Sequence, residues 1–235
     1  MGNTYLLNLT FPTPVESNLS LREIYFRSKA IYKIWYRDHF VVFSPESFVR
    51  ISNGIISSYP MKGTIDASLP GAEQLLIGDM KEKAEHSTIV DLIRNDLSRV
   101  ATNVEVKKFR YVDTVKTNQK TLLQTSSEIS GTLPADYPEY LGDILFSLLP
   151  AGSICGAPKR KTLEIIRQAE TYDRGFYTGV FGYFDGKNLE SAVMIRYIEN
   201  TNGTLTYKSG GGITTFSEPL SEYNEMIDKV YVPIY

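Results

Sequence analysis

Apolar and polar residues alternate with a period of two over most of this chain and shift to helical spacing in a few separated stretches. Tyr5 to Phe11 reads as a strand, followed by a Pro-containing loop and a short helix over Ser20 to Lys29. Ala30 to Tyr36 and Phe40 to Ser44 are aromatic-rich strands. Next comes FSPESFVRISNGIISSYPMKGT, in which Asn53-Gly54 between alternating apolar runs predicts a hairpin with Glu46 near one end and Lys62 near the other. After Pro70-Gly71 the pattern predicts a helix to about Arg94 on Leu75, Leu76, Met80, Ala84, Ile89 and Leu92. Strands follow over Val104 to Val112 and Thr121 to Ile129, then a helix near Pro138 with Leu141, Ile144, Leu145 and Leu148 on one face. Ala157-Pro158 opens another helix, to about Glu170. Tyr177 to Phe184, Leu189 to Ile198 and Thr204 to Ser209 predict strands joined at Asp185-Gly186 and Asn202-Gly203, an antiparallel meander. A last helix runs from Pro219 to about Val230.

Strands in hairpin-linked groups, separated by single long helices, indicate an α+β fold with antiparallel sheets. Neither repeat nor linker interrupts the pattern, so one domain over 1–235 is the expectation.

Composition narrows the function classes. The chain has 235 residues, 42% hydrophobic and 22% charged, which is ordinary globular usage. A formal net charge of −2 with dispersed basic residues disfavours nucleic-acid binding, which needs a concentrated cationic face. The single Cys155 excludes an internal disulfide framework and suits a reducing compartment. With no long apolar stretch and no secretory pattern at the start, the expectation is a cytoplasmic protein that does not engage membranes.

Several residue sets have chemical potential. Glu46 and Lys62 are a possible proton-transfer group and a possible nucleophile, and equally an ordinary surface ion pair. Glu82 and Glu85, three apart on one helix, share a face; Glu222 and Glu225 repeat the spacing on the last helix. Four such carboxylates form an oxygen-rich set suited to a hard cation such as Mg²⁺, although Glu-x-x-Glu is also common on solvated helices. Ser209-Gly-Gly-Gly-Ile213 can turn backbone N–H groups toward an anion or serve as a flexible turn, and Gly63-Thr64 can supply similar donors. Arg196 ends an apolar strand, either as a snorkelling edge residue or as a bidentate carboxylate clamp. Gly152 to Lys159 superficially matches a phosphate loop but lacks the Gly-Lys-[Ser/Thr] ending, which sets nucleotide binding aside. His39 and His86 are read as structural or exposed.

Taken together, SPESF, PMKGT, AEHSTIVDLIRNDLSRV, PAGSICGAPKRKTLEII, YTGVFGYF, MIR, SGGGI and SEYNEMIDK resemble, in order, the motifs of the chorismate-utilising enzymes. That family includes anthranilate, aminodeoxychorismate, isochorismate and salicylate synthases. The resemblance implies antiparallel sheets packed as a sandwich with helices outside. Lys62 in PMKGT, sixteen positions after Glu46, is similar to component I of aminodeoxychorismate synthase, where anthranilate synthases have alanine. The resemblance therefore implies amination of chorismate to 4-amino-4-deoxychorismate, toward p-aminobenzoate and folate. It assigns Lys62 as the nucleophile and Glu46 as the acid and base. Mg²⁺ falls to Glu85 and Glu225 with Glu82 and Glu222 nearby. Tyr177, Arg196 and the N–H groups of Gly210 and Gly212 are placed on the enolpyruvyl carboxylate, with Gly63, Thr64 and Lys229 at the ring carboxylate.

Two features depart from the family pattern. Gln124 stands where the family has a histidine, which leaves that position hydrogen bonding but no proton transfer. Family members also carry more chain before the Tyr5 strand, so this sequence is expected to start inside the fold. No glutaminase nucleophile elbow is present, which implies a separate glutamine amidotransferase subunit as ammonia source. The alternatives are an isochorismate-, salicylate- or anthranilate-type enzyme and a non-catalytic chorismate-binding remnant.

Overall fold

The computed structural model describes residues 3–116 and 120–234. Along the chain run β1 (Leu6–Val15), α1 (Leu21–Arg27), β2 (Tyr32–Tyr36), β3 (Phe40–Ser44), β4 (Ser47–Ser52), β5 (Ile55–Ser58), β6 (Met61–Asp66), α2 (Ala72–Gly78), α3 (Met80–Leu97), β7 (Thr102–Lys116) and β8 (Thr121–Thr132). A 3-10 turn at Tyr137–Tyr140 leads into α4 (Leu141–Leu148), α5 (Gly152–Cys155), β9 (Gly156–Ala157), α6 (Lys159–Ala169), β10 (Val180–Phe184), β11 (Leu189–Val193), β12 (Tyr197–Thr201), β13 (Thr204–Ile213) and α7 (Pro219–Asp228). The result is the α+β class, with two sheets and two compact units. One unit comprises 3–47, Ile154–Phe181 and 192–234; the other comprises Phe48–Ser153 and Gly182–Ser191.

The first unit holds a six-stranded sheet in the order β2-β3-β12-β13-β1-β9. β3 is buried along its whole length, and its alternating side chains feed two separate clusters. Val41 and Phe43 pack with Leu21 and Ile24 of α1, Ile198 and Tyr207. Phe40 and Val42 pack with Tyr177, Met194 and Tyr197. α1 starts as the sequence requires: the Ser20 hydroxyl accepts from Glu23 N–H, and the Glu23 carboxylate takes the Ser20 N–H at 2.9 Å.

The second sheet runs β10-β11-β4-β5-β8-β6, with β7 also paired to β8. The Asn53-Gly54 hairpin forms as expected, with both turn residues at positive φ (51° and 80°). α3 packs against β6, β7 and β8. The His86 ring meets Ser127 of β8 at 2.6 Å.

Three expectations change. The helix expected to run unbroken to Arg94 divides at Asp79, which takes extended backbone (φ −67°, ψ 110°), and its carboxylate accepts Glu82 N–H at 2.9 Å. A strong N-cap directly after Gly78 favours a new start over continuation. The expected meander also divides: β10 and β11 belong to the seven-stranded sheet, β12 and β13 to the six-stranded one. Between them Arg196 sits at φ 54°, so extended backbone ends there. Finally, Gly210 to Gly212 lie within β13, paired with Asn8 to Thr10 of β1, rather than in a loop after it.

Candidate functional site

In the second unit the site residues are set by one irregularity in β6. The register with β8 pairs Lys62 with Thr125 and Thr64 with Gln124, which leaves Gly63 as an extra residue. Gly63 takes φ 69°, a conformation open to glycine at little cost. A Cβ there would lie 3.2 Å from Leu76 Cδ1 and 3.3 Å from Glu82 Oε2, so space also selects glycine. The bulge is locked from β8, where the buried Thr125 hydroxyl donates to the Lys62 carbonyl.

Lys62 Nζ lies 3.3 Å from Glu85 Oε2, with the two side chains 25% and 10% exposed. Lys62 is thus half-buried, against the Glu85 carboxylate of α3. Glu82, one turn earlier, has its pKa raised by burial and then by the charge of Glu85, with Lys62 opposing. Two half-buried carboxylates thus stand beside the Lys62 amine.

His86, read from sequence only as structural or exposed, is fully buried next to Glu85. Burial, then the charges of Arg110 and Lys62, push its pKa down to about 4, so it is neutral at physiological pH. Its Nδ1 is buried without a hydrogen-bond partner among the described residues. Arg110 caps α2 by donating to the carbonyls of Leu76 and Ile77, both at 3.0 Å. Neither role was legible from spacing. The Asp79 cap was: Asp-x-x-Glu ahead of a helical run is a start signal. Gln124 is half-buried on β8, between Thr64 and Asp113 on the flanking strands. Thr64 is exposed.

In the first unit α7 packs on β13. Lys229, which caps the helix, donates to Glu225 Oε1 at 2.6 Å and to the Gly210 carbonyl at 3.0 Å. N–H and C=O of one strand residue point to the same edge and repeat every second residue. Gly210 and Gly212 therefore both turn their backbone groups toward the edge that Lys229 occupies. Glu222 is 7% exposed, and its Oε2 lies 3.7 Å from where a Cβ on Gly211 would stand. The glycine at 210 has a plainer cause than ligand approach: a Cβ would meet Leu9 O and Thr10 Cγ2 of β1, each at 2.6 Å.

Arg196 and Tyr177 differ in character. The Arg196 Nε is buried without a hydrogen bond, and its guanidinium carbon stands 5.4 Å from the centre of the Tyr231 ring. Tyr177 is 4% exposed, inside the core cluster with Phe40 and Tyr197, and burial pushes its pKa far up. It is a packing residue first. Glu46 is half-buried; its N–H donates to Ser44 Oγ at 3.1 Å and its carbonyl accepts from Val193 N–H at 3.1 Å. The structure thus brings together Lys62, Gly63, Glu82 and Glu85 in one unit, and Gly210, Glu222, Glu225 and Lys229 in the other. Among the described residues no three His, Cys, Asp or Glu side chains converge on one metal position. No helix among them is long and apolar enough to cross a membrane.

The sequence profile described as chorismate binding enzyme matches residues 1–234. The chain belongs to the chorismate-binding enzyme family. Among relatives of this family, a PabA-like protein of Haemophilus influenzae is 57% identical over 99% of the chain and 71% of its own length. Aminodeoxychorismate synthase component 1 of Salmonella typhimurium is 37% identical over 79% of the chain and 42% of that enzyme. The crystal structure of anthranilate synthase component I from Streptococcus pneumoniae superposes with a TM-score of 0.81 at 29% identity, over 97% of the chain. The chain spans 52% of that solved structure, about half of its length. Two of these relatives are named for different products, an aminodeoxychorismate synthase component and an anthranilate synthase component, so membership in the family does not by itself fix the product.

Proposed function

We propose that the protein is an aminodeoxychorismate synthase component I, which aminates chorismate at the carbon bearing its hydroxyl. The observation that carries this reading is Lys62: a primary amine next to a glycine bulge, half-buried 3.3 Å from a carboxylate. A relative with alanine at this position has no amine to offer.

The Lys62 amine adds to the ring carbon next to the one bearing the carboxylate. The two double bonds shift, and the hydroxyl, protonated by Glu46, leaves as water. Ammonia then adds where the hydroxyl was, giving up a proton to Glu46. The electrons return through the ring and Lys62 leaves as the free amine, so carbon skeleton and oxidation level are conserved. The nucleophile forms only once the Lys62 ammonium has lost a proton. Glu46 is the acceptor in this reading, while Glu85, 3.3 Å from Lys62 Nζ, is the ion-pair partner of the resting ammonium.

Arg196 clamps the enolpyruvyl carboxylate, aided by the N–H groups of Gly210 and Gly212, with Tyr177 as the wall behind. Gly63, Thr64 and Lys229 serve the ring carboxylate, and Gln124 positions the ring without proton transfer. Glu82 with Glu85, and Glu222 with Glu225, are the Mg²⁺ ligands in this reading. The donor chemistry fits: Mg²⁺ takes one or two protein carboxylates beside waters and substrate, and a cation would offset the burial and the Glu85 charge that raise the Glu82 pKa. Bound Mg²⁺ supplies a positive charge that stabilises the ring carboxylate as electron density builds on it. The ammonia comes from a glutamine amidotransferase subunit, and the reaction belongs to cytoplasmic folate biosynthesis.

The test is intact-protein mass spectrometry after mixing with chorismate and Mg²⁺ but no ammonia. The parent gains the mass of chorismate minus water and Lys62→Ala gains nothing. With ammonium added, the product is 4-amino-4-deoxychorismate. Anthranilate, isochorismate or salicylate as the main product overturns the assignment.

A further inference from the structure

Arg196 is unusual in carrying a charge without a counter-charge. Among the described residues it forms no ion pair and donates no side-chain hydrogen bond, and its Nε is buried without a partner. Its backbone is in the left-handed region, at φ 54°. A non-glycine residue pays for that conformation, and the surroundings must hold it there.

What holds the side chain is the segment 230–234 that follows α7. The Arg196 guanidinium carbon stands 5.4 Å from the centre of the Tyr231 ring, within cation–π range. Tyr231 is itself fixed through its main chain, because its carbonyl accepts the Tyr207 hydroxyl at 3.1 Å. Val230 and Val232 pack on the core cluster of Leu21, Val41 and Tyr207. Further on, the Pro233 carbonyl accepts Lys29 N–H at 2.8 Å, and Ile234 bridges Ser28. The segment is therefore anchored on both sides of Tyr231 by contacts that do not involve its ring. The ring stands within cation–π range of the guanidinium carbon, and Nε is buried. The in-plane Nη groups are left for a ligand, the edge on which a planar fork takes a carboxylate in bidentate fashion.

We propose that Tyr231 is a positioning residue for Arg196: its ring pre-orients the guanidinium so that the Nη edge receives a carboxylate of the substrate. This rests on the reading of Arg196 as the carboxylate clamp. Tyr231 acts through Arg196 and touches no reacting atom, so its loss is felt in binding and not in the chemical step.

The experiment measures chorismate affinity by calorimetry, and KM and kcat with chorismate and ammonium, for the parent, Arg196→Ala, Tyr231→Phe and Tyr231→Leu. Leucine keeps apolar bulk but has no π face, and the anchors of the segment remain, which far-UV circular dichroism verifies. Expected is a weakening of about two- to fivefold in Kd and KM for Tyr231→Leu with kcat unchanged, parent behaviour for Tyr231→Phe, and a much larger loss for Arg196→Ala. Parent-like binding by Tyr231→Leu, with Arg196→Ala still defective, overturns the positioning role and leaves the clamp standing. Parent-like binding by Arg196→Ala overturns the clamp itself. Equal loss in Tyr231→Phe and Tyr231→Leu also refutes the proposal, since the ring face is then not the active element.

Discussion

Replacing Gly63 by alanine tests the bulge on which the placement of Lys62 depends. Two costs arise from the structure. At φ 69° an L-residue pays about 1–2 kcal/mol for the left-handed conformation. The new Cβ would also press on Leu76 Cδ1 at 3.2 Å and Glu82 Oε2 at 3.3 Å. Both atoms end flexible side chains and can yield, so overpacking adds about 1 kcal/mol, the low end of its range. Against this, alanine reduces the freedom of the unfolded chain, worth about 0.4–1 kcal/mol. The net expectation is a loss of about 1–2 kcal/mol, the balance of these terms. Urea unfolding followed by far-UV circular dichroism measures it. Tryptophan fluorescence is unsuitable, because Trp35 lies in the other unit. Gly211→Ala is the matched control: its Cβ meets nothing nearer than 3.7 Å, and Gly211 is not among the residues at positive φ. It should be neutral, or stabilising by up to about 1 kcal/mol. The reasoning is refuted if Gly63→Ala is as stable as the parent, or if both alanines cost the same.

Ser127→Ala removes a buried hydroxyl that accepts Arg110 N–H at 2.9 Å and meets His86 Nε2 at 2.6 Å. Leaving both groups without a partner should destabilise the second unit by about 2–4 kcal/mol, read from the shift of the urea midpoint. The Asp185 carboxylate is held below its ordinary pKa by N–H groups of Asn188 and Lys187. A depressed folded pKa adds stability above the unfolded value of 3.8 and loses it as pH falls through the folded one. Asp185→Ala should therefore lower Tm at pH 7 and converge with the parent on acidification below 3.8; a gap that persists at low pH rules out the ionised turn. Glu46→Gln should retain chorismate affinity while kcat falls by about 10²–10⁴, as for a lost general acid–base; a kcat within tenfold of the parent removes Glu46 from the chemistry.

Local chemistry was legible where a short peptide decides the backbone by itself. Asn53-Gly54 and Asn202-Gly203 turn at positive φ because those residue types tolerate it, whatever surrounds them. The family motifs were legible for the same reason, as words in order. What sequence reading missed are features decided between segments. Leu189 to Ile198 looks like one strand because each half is apolar for its own sheet; Met194 to the left-handed Arg196 separate the two strands. Gly63 and Gly210 looked alike as donors to a ligand, but each also has a local steric cause that spacing does not show. Gly63 is a bulge under Glu82, and Gly210 gives room to the β1 backbone.

These two glycines also show why membership in the family is more secure than the product made. A bulge and a close strand contact can be shared by any enzyme that builds this sheet, whichever nucleophile it uses. In the proposed reading the product turns on the amine at position 62, and the protein holds Lys62 half-buried against Glu85 at 3.3 Å. A lysine kept only for solubility has no reason to be 25% exposed beside a carboxylate that is 10% exposed. Burying such a pair brings little net stability, because desolvation offsets the attraction. Its retention is therefore better accounted for by reactivity than by folding. Replacing both partners, Lys62→Met with Glu85→Gln, separates the two: if the pair serves chemistry, the double variant matches the parent in stability while adduct formation is abolished. If the pair serves the fold, Tm falls by several degrees and the reactive role of Lys62 loses its physical support.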